Sequence, residues 1–236
     1  MPNWCENSMT VFGEVETLNK FAEAITSKER ENVYEGTAYE LKDNEISVTI
    51  FSNLLPAPEN GSKKIINDKG ELVGTAFADP ERDGNDYING WDWCIKNWGT
   101  KWGDCDNRMT KDYDDTRGRT PRLDFTYDTA WGPADYSQIS EMYPELFFMV
   151  TYQEHGMGFM GCELFHAGEK VTEEYLDSDS NGDYPSFPDY EPDDDEAFDK
   201  ALIEFDEMVL DASCNMEEII MGYLKDNHDV NVLIPT

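Results

Sequence analysis

Apolar and polar positions follow two periods along this chain, and each period predicts a different element. In "CENSMTVFG" the alternation reads as a first strand ending at Gly13. In "VETLNKFAEAI" the residues Leu18, Phe21, Ala22 and Ile25 recur at helical spacing, with Glu14 and Glu16 suited to the positive end of the helix dipole. "NEISVTIF" returns to period two, Ile46, Val48 and Ile50 alternating with Ser47 and Thr49, and predicts a second strand stopped by the prolines of "LLPAPENG".

Residues 61–85 are rich in Gly, Asp, Asn and Lys and read as an exposed excursion. Next comes "INGWDWCIKNWGTKWGD", which holds four of the six tryptophans. Its spacing predicts a helix with Trp91, Ile95 and Trp98 on the core side and Gly99 at the C-terminus, leaving Trp93 and Trp102 outside that stripe as candidate surface anchors. "CDNRMTKDY" predicts a short strand and "RLDFTYDTAW" a strand with one wet face. "GPADYSQISEMYP" predicts a helix capped by Asp135, with Gln138 three residues on. "LFFMV" reads as a central strand, and "GFMGCELFH" turning at "AGEK" as further antiparallel pairing.

Beyond Val171 the composition becomes acidic and proline-punctuated, then helical. Phe198, Leu202, Phe205 and Val209 form one apolar stripe. Asn215 with Glu218 offers a capping box before a second helix carrying Ile219, Ile220, Tyr223 and Leu224. The expected organisation is a ferredoxin-like α+β domain over 1–171, an acidic linker over 172–192 and an acidic helical extension over 193–236. Its fold class is an antiparallel sheet with helices on one face, followed by the C-terminal extension.

Charge changes the picture more than any motif. Over 236 residues, 51 Asp and Glu oppose 18 Lys and Arg, a formal charge of -33. Such a surface repels phosphate backbones and anionic lipids and favours a partner with a basic surface, so neither direct nucleic-acid binding nor membrane binding is expected. Five scattered cysteines without a C-x-x-C pair, and no apolar run long enough to cross a bilayer, predict free thiols in a host-cell cytoplasmic protein.

The motifs "MPNWCENSMTVFG", "LLPAP", "NWGTKW", "FTYDTAWGP" and "YPELFFMVTYQEHGMGFMG", in that order, resemble the uncharacterised proteins of phages and conjugative plasmids that carry a YubB-type C-terminal ferredoxin-like domain. The resemblance covers most of Met1 to about Val171. It implies a fold and a genetic setting, accessory cargo acting in a host cytoplasm, and no catalytic residues. Gly132-Pro133 stands where the family commonly has two prolines.

Candidate chemistry is sparse. Asp177, Asp179, Asn181 and Gly182 occupy the first, third, fifth and sixth places of a calcium loop, but Pro188 stands where a bidentate glutamate should close it, so a solvated acidic loop is the better reading. His155, His166 and Cys162 with Glu154 or Glu163 lack a fourth ligand at motif spacing, and no metal or other cofactor is expected. The basic residues from Arg108 to Arg122 are interleaved with aspartates and read as a charge-balanced hairpin.

The function that fits is non-enzymatic: a phage-type accessory protein that binds and inhibits a host nucleic-acid-interacting or defence protein by imitating DNA charge. Asp193, Asp194, Asp195, Glu196, Asp199, Glu207 and Asp211 are expected on the contacting face. The alternatives are a small hydrolase or ligand-binding protein with a pocket near His155, His166 and Trp131, or a virion or scaffold component. Oligomeric state is not specified by the sequence.

Overall fold

The computed structural model describes residues 3–26, 44–113, 118–178, 184–189, 195–228 and 230. Within them the chain runs β1 (Trp4–Phe12), α1 (Val15–Ile25), β2 (Ile46–Ser47), α2 (Phe51–Leu54), β3 (Ser62–Ile66), β4 (Leu72–Phe77), α3 (Pro80–Asp83), α4 (Gly90–Trp98), β5 (Cys105–Asp112), β6 (Arg122–Ala130), α5 (Ser137–Met142), β7 (Phe147–Glu154), β8 (Phe159–His166), β9 (Glu169–Asp177) and α6 (Asp195–His228).

Seven strands form one antiparallel sheet in the order β2-β5-β6-β1-β7-β8-β9, and β3 with β4 form a separate hairpin. At its centre, β1-α1-β5-β6-α5-β7 is the β-α-β-β-α-β succession of a ferredoxin-like unit. The segment from β2 to α4 is an insertion between its first helix and second strand, β8 and β9 widen one edge, and β2 caps the other.

Strand alternation divides the core in two. Met9, Val11, Leu123, Phe125, Phe148 and Val150 point to the face covered by α1, α2, α4 and α5, where Leu18, Phe21, Phe51, Trp98, Tyr136 and Ile139 meet them. Phe12, Met149, Met160, Cys162 and Leu164 point to the other face, where α6 lies across β7, β8 and β9. Thus α6 docks on the chain's own sheet, and β9 carries that sheet past Val171 to Asp177, into the stretch assigned by composition to the linker. On this second face no described element covers β1, β6 and β5, and Glu6, Ser8 and Thr126 are exposed.

Three elements differ from the sequence expectation. "NEISVTIF" forms only the two-residue edge strand β2 because the chain turns off the ladder: the Val48 amide still donates to the Asn107 carbonyl, but that of Thr49 donates to the Ile25 carbonyl, and those of Ile50 and Phe51 donate to the Asp104 carboxylate at 2.6 and 3.1 Å and start α2. In α4 the buried stripe is Gly90, Cys94 and Trp98, and Ile95 is 51% exposed; Trp98 stays in the core while the stripe's centre is rotated by roughly 70°, at ~100° per residue. Trp91 is half-buried rather than core. The third difference is α6, a single helix of 34 residues where two were expected. No proline lies between Pro192 and Pro235, and Asn215 sits inside the helix rather than capping a new one.

The predicted ends of α4 match, whereas α5 follows Tyr136 without the expected capping box. Asn89 caps α4 by accepting from the Trp91 and Asp92 amides, and Gly99 ends it in the left-handed region. Asp135 accepts from the Ser137 amide at 2.9 Å, while Gln138 turns away to donate to the Asn97 carbonyl.

Candidate protein-binding surface

The inner stripe of α6 is Ala201, Phe205, Val209, Met216, Ile220 and Leu224, all buried. Phe198 and Leu202, expected in that stripe, are 40% exposed, as the helix's first turns reach past the sheet. Phe187 fills part of this end, stacking on Phe198 and packing at 5.3 Å from the Phe205 ring.

Fixed on that side, the helix turns its other side outward. Between Glu196 and Glu218 the helix carries eight carboxylates and one lysine, Lys200; of the eight, Glu217 is tied back to β7 and Asp206 faces the neighbouring sheet, and the others lie toward solvent. At ~1.5 Å of rise per residue the span is about 33 Å, or about 4 Å of axis per carboxylate, close to the ~3.4 Å per phosphate along one strand of B-DNA. Ile203 and Leu210, 61% and 62% exposed, lie among these carboxylates.

A groove of about 500 Å³ separates α6 from the uncovered half-sheet, lined by Asp206, Leu210 and Glu217 from the helix, Glu6, Thr126 and Asp128 from the strands, and His155. Thr151 Oγ1 donates to Glu217 Oε1 at 2.9 Å and ties helix to strand; Gln153 Nε2 donates to Glu6 Oε2 at 3.0 Å. Burial, followed by the nearby charges of Glu6 and Asp106, raises the Asp128 carboxyl above its ordinary range. Cationic groups entering here relieve that repulsion.

Of the predicted contacting residues, Glu196, Asp199, Glu207 and Asp211 are exposed on α6 and Asp195 is its first residue. Asp193 and Asp194 lie outside the described residues, as do Asp179 and Asn181 of the calcium-like loop; Asp177 is buried at the end of β9. Trp93 is half-buried and packs one side against the core, edge-on to Trp98 at 5.8 Å. Trp102 is half-buried and lies 5.7 Å from Trp4.

The histidines are apart. His166 stacks on Phe147 at one end of the β7–β8 hairpin and His155 follows β7 at the other, roughly 25 Å away at ~3.3 Å per residue. His155 Nδ1 instead meets the Tyr184 hydroxyl at 3.2 Å, and Trp131 lies at the His155 end only, so the three do not share a pocket. Among the described residues no group of three or more His, Cys, Asp and Glu side chains is placed to hold a metal ion. Arg122 pairs with Asp112 and Asp124, and Arg119 with Asp112, inside the β5–β6 hairpin.

The sequence reading missed the groove, because it depends on where α6 lands. One signal was available, the proline-free stretch from Asp193 to Ile234.

With strand order and helix placement defined, one family model matches part of the same sheet. Residues 97–200 match the family model described as a ferredoxin-like domain in Api92-like protein. The Api92-like match starts at the end of α4, takes in β5 through β9, and ends in the first turns of α6. The crystal structure of a protein Api92 from Yersinia pseudotuberculosis is similar with a TM-score of 0.42 and 12% identity, over 75% of this chain and 98% of that chain. No curated protein matches the chain at a significant level. Among the described residues no helix is long and apolar enough to cross a membrane.

Proposed function

We propose that this protein is a non-enzymatic binding protein whose α6 face occupies the nucleic-acid-binding surface of a basic host protein and inhibits it. The observation that carries this reading is the fixed helix with eight carboxylates over about 33 Å, an average of one per about 4 Å of axis at uneven spacing, a density near the ~3.4 Å repeat of one DNA strand. A whole duplex carries a charge per ~1.7 Å, so the imitation is of one strand's phosphate row. Ile203 and Leu210 within the row favour a folded protein partner over a bare polycation, since apolar side chains gain from a fitted surface. The phage and plasmid setting implied by the sequence resemblance makes a nucleic-acid-processing or defence protein of the host cytoplasm the proposed target.

Affinity capture from host lysate followed by mass spectrometry tests the reading. A partner held at low salt is expected to be released by high salt and by competing duplex DNA, because counter-ion release drives such contacts. Charge reversal at Glu196, Asp199, Glu207 and Asp211 is expected to abolish its capture. Undiminished capture by that variant contradicts the proposal.

A further inference from the structure

The tryptophan segment holds a second feature that the α6 reading does not use. A cleft of about 600 Å³ opens beside the β3–β4 hairpin, walled by Phe77, Trp91, Trp98 and Trp102. Among the described residues its lining has no basic side chain and one carboxylate, the buried Asp104, and Lys101 is not part of it. Trp91 and Trp102 are half-buried at its wall, and Trp4, 45% exposed, lies against Trp102.

The Lys101 ammonium sits over both indoles of this wall, Nζ lying 4.2 Å from the Trp91 ring centroid and 5.6 Å from that of Trp102. Both distances are within the ~6 Å at which a ring's negative face attracts a cation. The loop that presents these groups is fixed at both ends. Gly99 is left-handed, the buried Thr100 hydroxyl donates its proton to the Ala130 carbonyl at 2.7 Å with the Trp102 carbonyl also in reach at 3.0 Å, and Asp104 is tied to the start of α2. A side chain added at Gly103 would press on Phe51 at 3.2 Å. Lys101 and Trp102 therefore project from a preformed frame.

We infer that the Trp91–Trp102 wall is a receptor for a cationic side chain, occupied in the free protein by Lys101, and that a lysine- or arginine-bearing segment of a partner displaces it. Charge complementarity selects this occupant: the two indoles already accept an alkylammonium beside the cleft, the cleft has no basic lining among the described residues, and the molecule's charge of -33 draws cations and repels phosphates. The inference deepens the proposed function and rests on it for the basic character of the partner.

The test titrates protein carrying nitrogen-15-labelled tryptophan with octalysine and, separately, with an oligothymidylate of the same length, following the six indole N–H resonances. Trp91→Phe and Trp102→Phe assign the two that matter. The expected result is that these two move with the peptide and not with the oligonucleotide. Lys101→Ala is expected to bind octalysine about 3- to 10-fold more tightly, a larger gain than that of Lys96→Ala, which removes the same charge from the exposed side of α4. A gain no larger than that of Lys96→Ala, or resonances that move only with the oligonucleotide, overturns the inference. Charge reversal at Glu207 and Asp211 separates the two readings. Affinity lost in that variant while the wild-type indoles stay still fails the cleft alone; indoles that move with affinity unchanged by the reversal fail the α6 reading alone.

Discussion

At the scale of single residues, burial sets the chemistry. The thiols of Cys5, Cys94, Cys105 and Cys162 are each pushed up to about 12 by burial, whereas Cys214 is exposed on α6. Thiolate is the reactive form, so a disulfide reagent at mildly alkaline pH is expected to label Cys214 first and the other four only on unfolding; peptide mapping after timed quenching reads the order. Asp104 is the residue on which the inserted segment turns. Its carboxylate accepts from the Ile50 and Phe51 amides and from Asn107 Nδ2, so Asp104→Ala leaves three buried donors unpaired. A loss of roughly 2–4 kcal/mol in urea unfolding is expected, with α2 and the edge strand β2 loosened first by hydrogen exchange.

At the scale of elements, what could be read from the chain was whatever depends on neighbours in sequence. The alternation in β1, β6, β7 and β8, the Asn89 and Gly99 helix ends, and the turn at Ala167–Gly168 are local, and period or conformational preference shows them directly. "NEISVTIF" failed because the partner of its Ile50 amide, Asp104, is 54 residues away, and no window along the chain contains both. The α4 stripe failed for a smaller reason: Cys94 and Ile95 are both apolar, and a rotation of less than one position decides which enters the core. In α6, Asn215–Glu218 resembles a cap, yet the row Phe205, Val209, Met216, Ile220 and Leu224 runs through it on one face of the sheet, and packing overrides the local preference. The two descriptions predict opposite effects for Asn215→Ala: within a continuous helix it is neutral or stabilising by a few tenths of a kcal/mol, whereas loss of a true cap costs about 1 kcal/mol. Thermal unfolding followed by circular dichroism distinguishes them. Ile220→Ala, at a fully buried position under the helix, is expected to cost about 2–5 kcal/mol.

At the scale of the whole molecule, charge and burial act in the same direction. Burial raises the carboxyls of Asp104, Asp124, Asp128 and Glu163, so each binds its proton more tightly in the folded than in the unfolded chain. The stability this contributes is complete below the ordinary carboxylate values of 3.8 to 4.5 and is lost as pH rises through the raised ones. Self-repulsion at a net charge of -33 deepens the loss toward neutrality. The midpoint of thermal unfolding is therefore expected to fall as pH rises from about 5 to 8, and at neutral pH to rise with added salt, which screens the repulsion. The candidate surface was half legible: the carboxylates were plain in the sequence, but which of them share a side of α6, and that this side adjoins an open half-sheet, depends on the docking of one helix.

The central claim is that the outer face of α6 binds a basic partner in place of nucleic acid. Its most direct measurement is the affinity of the captured partner for the wild-type chain and for the variant reversed at Glu196, Asp199, Glu207 and Asp211, over a series of salt concentrations. The account predicts a steep salt slope in the wild type, competition by DNA, and loss of binding in the variant. Equal affinity of the two chains, with a flat salt slope, contradicts it.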